Sequence, residues 1–218
     1  MARFMLATGN RHKLAEVGRI IAPHEVVPMP AGVTLPPEGT TSFAANARAK
    51  ALALRAAVMA EAGAGQTLST AQLRSPLPDF FIADDSGLEV EALDWRPGVI
   101  SSRYAGREGD DAANIIKLLD ELRAWPDDEH RRARFVCVMA CVFPDGEVCE
   151  ARGEWWGHIA AAPRGSGGFG YDPVFVPDGS TATVAEWPAA EKDAASHRAR
   201  AARALVACLR ERGALADG

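Results

Sequence analysis

The sequence has little of what marks secreted, membrane-spanning or zinc-binding proteins. Only 4 of its 218 residues are cysteine, and they form neither a CxxC pair nor a zinc-finger spacing. No run approaches the roughly 20 apolar residues that span a bilayer. The first apolar stretch also reaches Gly9 and Asn10 too soon for a secretory signal. We therefore expect no membrane partner, a cytoplasmic location and four reduced cysteines: Cys137, Cys141, Cys149 and Cys208.

An excess of positive charge is missing as well. The chain has 24 Lys and Arg against 29 Asp and Glu, a formal net charge of −5. This balance argues against binding to a nucleic-acid polymer and, at first sight, against any anionic substrate. The charges are unevenly spread, however. Residues 1–20 carry +3 and residues 192–212 carry +4, whereas five carboxylates lie within 84–94. This uneven spread removes the argument against an anionic substrate, and only the exclusion of nucleic acid remains.

The hydrophobic share of 48% is ordinary for a globular protein and excludes wholesale disorder. Apolar patterns predict an α/β fold in which helices and strands interleave around a mixed sheet. Residues 64–79 are predicted to form a flexible loop. Strands are expected at 3–7, 80–83, 88–92, 135–143, 147–155 and 174–176. Helices are expected from about 11 to 22, 41 to 63, 110 to 122 and 193 to 212.

The junction between the first strand and the first helix is a candidate phosphate site. It reads Thr8-Gly9-Asn10, and Arg11, His12 and Lys13 occupy the first helical turn. Basic groups conflict there with the positive end of the helix dipole. A bound phosphate would remove the conflict by using the same backbone N–H groups. A solvated basic face with Asn10 as a plain N-cap explains the pattern equally well. No GxxxxGK[ST] is present, so this is not a P-loop.

Adjacent carboxylates follow the predicted strand at 80–83, in the string Asp84-Asp85-Ser86-Gly87. They repel each other unless a cation or a shared proton offsets the charge, and Mg²⁺ prefers such oxygen ligands. Successive strand residues point to opposite faces. Both carboxylates therefore face one site only if the backbone has begun to turn, which Ser86-Gly87 permits. Taken alone, an ordinary Asp-Ser-Gly turn is the commoner explanation.

Three further segments carry weaker signals. Glu38 precedes a helix on which Asn46 and Lys50, four residues apart, share a face; alone, this is better explained as a solvated polar stripe. The glycine-rich segment 165–170 allows close backbone approach to a ligand, and its aromatic residue suits stacking on a base. A long surface loop is the simpler explanation. Ser196-His197-Arg198 begins a basic final helix, of a kind that is usually only solvated, and no acid is spaced to complete a catalytic triad.

Together and in this order, these segments resemble the nucleoside triphosphate pyrophosphatases of the inosine and xanthosine triphosphate type. The resemblance covers nearly the whole chain. The matching strings are Thr8-Gly9-Asn10 with Lys13, Glu38 through Phe43, Asn46-Ala47 with Lys50, Ala83 through Leu88, Pro97-Gly98, Ser102-Arg103-Tyr104-Ala105-Gly106, Gly167 through Pro173, and Glu191-Lys192 with Ser196-His197-Arg198.

The resemblance implies a single domain over 1–218, an elongated mixed sheet with flanking helices in two lobes around a central catalytic cleft. It implies a homodimer that uses Mg²⁺ to hydrolyse inosine, deoxyinosine and xanthosine triphosphates to the monophosphate and pyrophosphate. By motif, Asp85 would be the catalytic carboxylate, and Glu38, Asp84 and Asp85 would surround the metal. The substrate-binding residues would be Thr8, Gly9, Asn10, Arg11, His12, Lys13, Lys50, Ser86, Phe169, Gly170, Tyr171, Asp172, Lys192, His197 and Arg198.

Two departures from the family pattern stand out. Ala45 replaces a Glu that usually precedes the Asn-Ala of the second helix, and the loop at about 61–79 is longer than usual. Two rival functions stay open: a pyrophosphatase for other modified or pyrimidine nucleotides, and a nucleotide sensor that does not hydrolyse. The Ser196-His197-Arg198 string argues against the first. Adjacent carboxylates argue against the second, because a binder of anions gains little from added negative charge.

Overall fold

A computed structural model of the chain describes residues 1–64 and 77–216. Residues 65–76 of the predicted loop therefore lie outside the described residues. The helices are α1 (Arg11–Ile20), α2 (Phe43–Ala64), α3 (Asp111–Glu121), α4 (Ala189–Ala195) and α5 (His197–Glu211). The strands are β1 (Arg3–Leu6), β2 (Glu25–Pro28), β3 (Phe80–Val90), β4 (Arg132–Val142), β5 (Val148–Ile159) and β6 (Phe175–Pro177).

In the described residues the strands form one six-stranded sheet in the order β2-β1-β3-β4-β5-β6. β1 pairs in parallel with both β2 and β3, whereas β5 and β6 are antiparallel. The sheet is therefore mixed, as predicted. β2 was not predicted, because its four residues fall in a proline-rich stretch and half of them are exposed.

The chain divides into two compact units. Unit 1 comprises Met1–Asp85, Val138–Arg152 and Ala201–Gly218, and unit 2 comprises Ser86–Cys137 and Gly153–Arg200. In unit 1, the alanine-rich helix α2 packs Ala47, Ala51 and Leu54 against the strand residues Phe81 and Ala140. Small side chains on this face let the helix approach the sheet closely.

The core of unit 2 is built from inward-facing residues of β3, β4 and β5 together with α3. Its fully buried members include Leu88, Leu118 and Phe175. Helix α3 begins where the sequence predicts, because the Asp110 side chain accepts a hydrogen bond from the Ala113 N–H.

Three predictions need correction. Asp84 through Gly87 do not form a turn: β3 continues through them to Val90 and ends before Ala92. The final helix is not continuous, because Ser196 adopts an extended conformation between α4 and α5. Nor are all four cysteines reduced, because packing of β5 and α5 brings Cys149 and Cys208 together in a disulfide. Cys137 and Cys141 are free and buried.

No helix among the described residues is long and apolar enough to cross a membrane.

Candidate active site

Each of the two units contains a group of side chains that is a candidate functional site. In unit 1 the central group is a buried ion cluster around Lys50, which is only 6% exposed. The Lys50 ammonium donates to Glu38 Oε1 at 2.6 Å and to Asp85 Oδ1 at 3.3 Å. Asn46, one helical turn earlier on α2, donates from its Nδ2 to Asp85 Oδ2 at 2.9 Å. Both oxygens of the Asp85 carboxylate are therefore held.

The position of this cluster follows from the periodicity of α2. Ala47 and Ala51 are fully buried against the sheet, and Asn46 and Lys50 each directly precede one of them. They therefore lie along the edge of the buried face, four residues apart, where a side chain is both desolvated and able to reach Asp85. Asn46 also fixes the loop that carries Glu38, because its Oδ1 accepts from the Gly39 N–H at 2.9 Å.

Burial raises the pKa of Asp85 above its ordinary value; Lys50, Asn46 and Lys13 oppose that shift only in part, and Glu38 adds to it. Burial works to lower the pKa of Lys50, but the negative charges of Asp85, Asp84 and Glu38 together raise it above its ordinary value. The cluster thus combines a firmly charged ammonium with a carboxylate whose ionised form is penalised by its surroundings. Such strain on a buried carboxylate is typical of a functional site.

Asp84 is 2% exposed and pairs with a different lysine, since its Oδ2 lies 3.1 Å from the Lys13 Nζ. Neighbouring residues of a strand point to opposite faces, so the uninterrupted β3 directs the two carboxylates to different partners. Asp84 still contributes to the electrostatics of Lys50. Lysines from two helices therefore offset the buried charge of the two aspartates. The strand does not turn at this point, so the two carboxylates are not brought to a single cation.

The junction at residues 8–13 has the geometry of a capped helix start. The Asn10 side chain accepts from the N–H groups of His12 and Lys13, at 2.9 and 3.2 Å. Thr8 Oγ1 in turn accepts from the Asn10 N–H at 3.1 Å. Gly9, Asn10, Arg11 and His12 are exposed. Asn10 is therefore the N-cap of α1, and Lys13 pairs with Asp84; phosphate binding by this segment stays a prediction.

Glu38 and Asp85 provide the donor set that suits a magnesium ion. Their Oε1 and Oδ1 atoms both lie within hydrogen-bond distance of one cation, the Lys50 ammonium, so they already converge on positive charge. Mg²⁺ prefers carboxylate oxygens and usually takes only one or two from the protein, completing its shell with water and phosphate. Within 1–64 and 77–216 no cluster of three or more His, Cys, Asp or Glu forms a complete cage. The donors present fit a metal that arrives with a triphosphate.

The group in unit 2 surrounds the ring of Phe169. The Lys192 ammonium lies 4.4 Å from the ring centroid, and the Arg198 guanidinium lies 5.8 Å from it. Lys192 is also paired with the buried carboxylate of Asp172. Arg198 is 1% exposed, and its Nη2 donates to Ser86 Oγ at 3.2 Å. An aromatic ring next to two cationic donors suits a flat ligand that carries carbonyl oxygens.

The backbone near Phe169 is tightly specified. Asp172 Oδ2 accepts from the Phe169 N–H at 2.9 Å, and the Tyr171 hydroxyl donates to Ser101 O at 2.9 Å. Gly168 has a φ of +72°, and a Cβ there would collide with the Asp172 carboxylate, so glycine is required on two grounds. Gly170 also has a positive φ, +63°. These bonds give the loop a fixed shape without regular secondary structure.

His197 does not join the polar side of this group. Its ring stacks on Phe135 with centroids 4.8 Å apart and the planes at 13°, inside the core of unit 2. Its neighbour Ser196 caps α5 by accepting from the Ala199 N–H at 3.2 Å. The structure thus places one set of side chains together: Ser86, Phe169, Asp172, Lys192 and Arg198. His197 and Tyr171 are instead buried in the interior of unit 2.

One residue of the site was not predicted as such. Asn46 was noted only for its spacing from Lys50, yet it touches the Asp85 carboxylate directly. The signal in the sequence that could have identified Asn46 was its position on the same helix face as Lys50, a predicted functional residue. Its partner lies 39 residues away, which spacing along one helix does not reveal.

Comparison with known proteins supports a nucleotide-processing site. The model of the Ham1 family matches residues 4–208. A dITP/XTP pyrophosphatase of Nocardia farcinica is 46% identical over 228 residues, covering 100% of this chain and 98% of the relative. One of Streptomyces coelicolor is 44% identical, covering 97% and 98%. Among solved structures, the Staphylococcus aureus Ham1 protein matches with a TM-score of 0.75 at 34% identity, covering 96% of this chain and 99% of that one.

Proposed function

The chain belongs to the Ham1 family, and from this premise we propose that it hydrolyses the non-canonical purine nucleoside triphosphates ITP, dITP and XTP, whose bases carry a 6-oxo group. The products would be the nucleoside monophosphate and pyrophosphate. The observation that carries the proposal is the buried cluster of Glu38, Lys50 and Asp85, with the Lys13–Asp84 pair in the same unit. A triphosphate and a divalent cation together require just such an alternation of ammonium and carboxylate groups.

We assign the triphosphate end to residues of unit 1. Lys13 and Lys50 would stabilise the charge that develops on the pyrophosphate leaving group. Residues 8–12 supply the exposed backbone beside Lys13 on which phosphate oxygens would rest. Asp85, held at both oxygens, is poised to accept a proton from the attacking water or to orient it.

We propose Mg²⁺ as the cofactor, held by Glu38 and Asp85, with Asp84 adding negative charge nearby. When bound, it would neutralise the triphosphate and polarise the phosphorus that is attacked. The Ala45 position supplies no carboxylate, so this chain relies on Glu38 and the aspartates of β3 alone.

We assign the base end to residues of unit 2. Arg198 has donors only, so it suits the 6-oxo acceptor of hypoxanthine and xanthine and opposes the amino donor of adenine. Ser86 holds the Arg198 guanidinium, and Phe169 offers a face to the base. Lys192 and Asp172 would act as a donor and an acceptor close to the same ring. A catalytic cleft between two lobes stays a prediction.

A panel of nucleoside triphosphates tests the proposal. Pyrophosphate release with Mg²⁺ is measured for ITP, dITP, XTP, ATP, GTP and the pyrimidine nucleotides. We expect kcat/KM for ITP and XTP to exceed that for ATP by about a hundredfold or more, because a buried donor is left facing a donor in the adenine complex. A preference for pyrimidines would replace the proposal with the rival pyrophosphatase. Tight binding without turnover would replace it with a sensor.

Two further parts of the proposal have their own tests. We propose a homodimer, supported by the family resemblance, and light scattering after gel filtration should give about twice the mass of one chain. We propose a cytoplasmic location, where nucleoside triphosphates are made and consumed. Fractionation of the source cells should recover the activity with the cytoplasmic enzymes.

A further inference from the structure

The loop that carries Phe169 is bonded by a residue outside every motif considered so far. The backbone N–H of Gly170 donates to Asp111 Oδ2 at 2.7 Å, across 59 residues of sequence. Both groups lie in unit 2 and are partly buried. Residues 161–168, which precede this point, are all exposed, and the Gly167 N–H donates to Ala185 O at 2.9 Å.

Asp111 is not the N-cap of α3, although acidic residues at a helix start often have that role. The N-cap of α3 is Asp110, whose side chain accepts from the Ala113 N–H at 3.1 Å. Asp111 occupies the first position inside the helix, where its charge is favoured by the helix dipole. Its carboxylate directs one oxygen to the loop, at 2.7 Å from the Gly170 nitrogen. A charged acceptor makes a stronger hydrogen bond than a neutral one.

Gly170 lies between the two residues on which the base end depends. Phe169 precedes it, with its ring near the Lys192 and Arg198 cations, and Tyr171 follows, anchored to Ser101 O. The Phe169 N–H is held by Asp172 Oδ2 at 2.9 Å, and the bonds at Gly170 and Tyr171 hold the next two residues. The bond from Asp111 therefore contributes to the position of the backbone that carries the Phe169 ring.

We propose that Asp111 is a positioning residue for recognition of the base: through Gly170 it holds the loop in the conformation that selects 6-oxopurines. This inference rests on the proposed function of the site, and it adds a residue from α3 that touches neither the substrate nor the metal. Loss of Asp111 should weaken binding and selectivity while leaving the phosphate chemistry of unit 1 largely intact.

Asp111→Ser tests the proposal, because serine suits a helix start but its hydroxyl is too short to replace the carboxylate at Gly170. Asp111→Asn keeps an oxygen acceptor of the same reach. Asp120→Ser is the matched control: Asp120 is an exposed carboxylate on the same helix that pairs with Arg123 at 3.0 Å. For each variant, kcat and KM are measured with ITP and with ATP, and hydrogen exchange is measured on the peptide that contains Gly170.

We expect Asp111→Ser to raise KM for ITP about tenfold, to change kcat less than about threefold and to lower the ITP over ATP preference. Exchange at Gly170 should quicken about tenfold or more. Asp111→Asn should recover most of both effects, and Asp120→Ser should show neither. Unchanged KM and selectivity in a folded Asp111→Ser protein would overturn the proposal, even with faster exchange, because the contact would then be merely structural.

Hydrogen exchange does not depend on turnover, so it distinguishes a failure of the positioning role of Asp111 from a failure of the proposed function. If the unaltered protein fails to hydrolyse 6-oxopurine nucleotides, the proposed function fails and this proposal fails with it. If the unaltered protein is active and selective but Asp111→Ser leaves the Gly170 amide protected, the positioning role alone is wrong. Should Asp111→Ser fail to fold, an Asp111→Asn protein with unaltered exchange but lost selectivity would equally overturn the role assigned to the bond.

Discussion

Replacing Asp85 by asparagine should separate activity from stability in this protein. The carboxylate is 4% exposed, accepts from Asn46 and Lys50, and shares the Lys50 ammonium with Glu38. The variant has the same size and shape but lacks the negative charge. It can neither accept a proton from water nor attract a divalent cation as strongly.

The expected loss of turnover follows from the removal of general-base or metal-orienting chemistry. Such groups contribute about 10²- to 10⁴-fold to rate, which corresponds to about 3–5 kcal/mol of transition-state stabilisation. We expect kcat with ITP to fall by this factor. Asp120→Asn, an exposed carboxylate on α3, should retain normal turnover and serves as the control.

The expected effect on stability has the opposite sign. The pKa of Asp85 is raised by burial, so its folded surroundings disfavour the charged form relative to the unfolded chain. At neutral pH, ionisation of Asp85 therefore costs the fold free energy, and a neutral side chain removes that cost. Lys50 keeps Glu38 as a partner at 2.6 Å, so its charge is not left isolated. The asparagine offers only one acceptor oxygen to the Asn46 and Lys50 donors, and the lost hydrogen bond offsets part of this gain. We therefore expect the melting temperature to stay within about 3 °C of the original protein.

Two measurements decide the matter: pyrophosphate release under saturating ITP and Mg²⁺, and thermal unfolding without metal. Near-normal turnover in Asp85→Asn would refute the assignment of Asp85. A fall of the melting temperature by more than about 6 °C, beyond what one or two kcal/mol produces in a chain of this size, would refute the electrostatic argument. In that case the carboxylate would be a structural anchor for α2.

Three other predictions follow from contacts in the same groups. Asn46→Ala should lower kcat about tenfold or more, because it releases one Asp85 oxygen and the loop that carries Glu38. Asn46→Asp should lower kcat further, because it adds a negative charge next to Asp85. Steady-state kinetics on both variants checks this order. Arg198→Lys should reduce the ITP over ATP preference about tenfold because a point charge replaces a planar fork, whereas Arg210→Lys, on the exposed side of α5, should not; unchanged selectivity in the first variant would contradict the base assignment. As pH falls, kcat/KM should begin to decline at a higher pH than an ordinary aspartate would cause, because the raised pKa of Asp85 means that it is protonated at a higher pH. The same protonation stabilises the fold. Activity should therefore fall while the melting temperature rises over that pH range.

Local features of the sequence predicted much of the fold. Asn10 and Asp110 cap helices where the pattern placed them, because a cap depends on the residues next to it. The almost wholly apolar run at 135–143 forms a strand buried on both faces, as continuous hydrophobicity indicates. Lys50 and Asp85, which the family resemblance names as site residues, lie 3.3 Å apart, and their roles stay predictions.

The predictions that failed depended on contacts between distant segments. Asp84 through Ser86 look like a turn by composition, yet they stay in β3 because Lys13, Lys50 and Asn46 offset their buried charge from other elements. Ser196 interrupts the last helix, although the Lys and Arg residues around it suggest one continuous basic face. The bond between Asp111 and Gly170 spans 59 residues, and no periodicity marks it.

The pairing of each lysine with a carboxylate turns substrate binding into an exchange of partners. A triphosphate that took Lys13 and Lys50 by itself would strip Asp84, Asp85 and Glu38 of their counter-ions, and a divalent cation alone would crowd against two ammonium groups. Only the two together would leave every group paired, because the cation offsets part of the triphosphate charge and Lys13 and Lys50 offset the rest. Metal and nucleotide should therefore bind weakly alone and each raise the affinity of the other by the same factor. The site would then respond to the metal–nucleotide complex rather than to the concentration of either component.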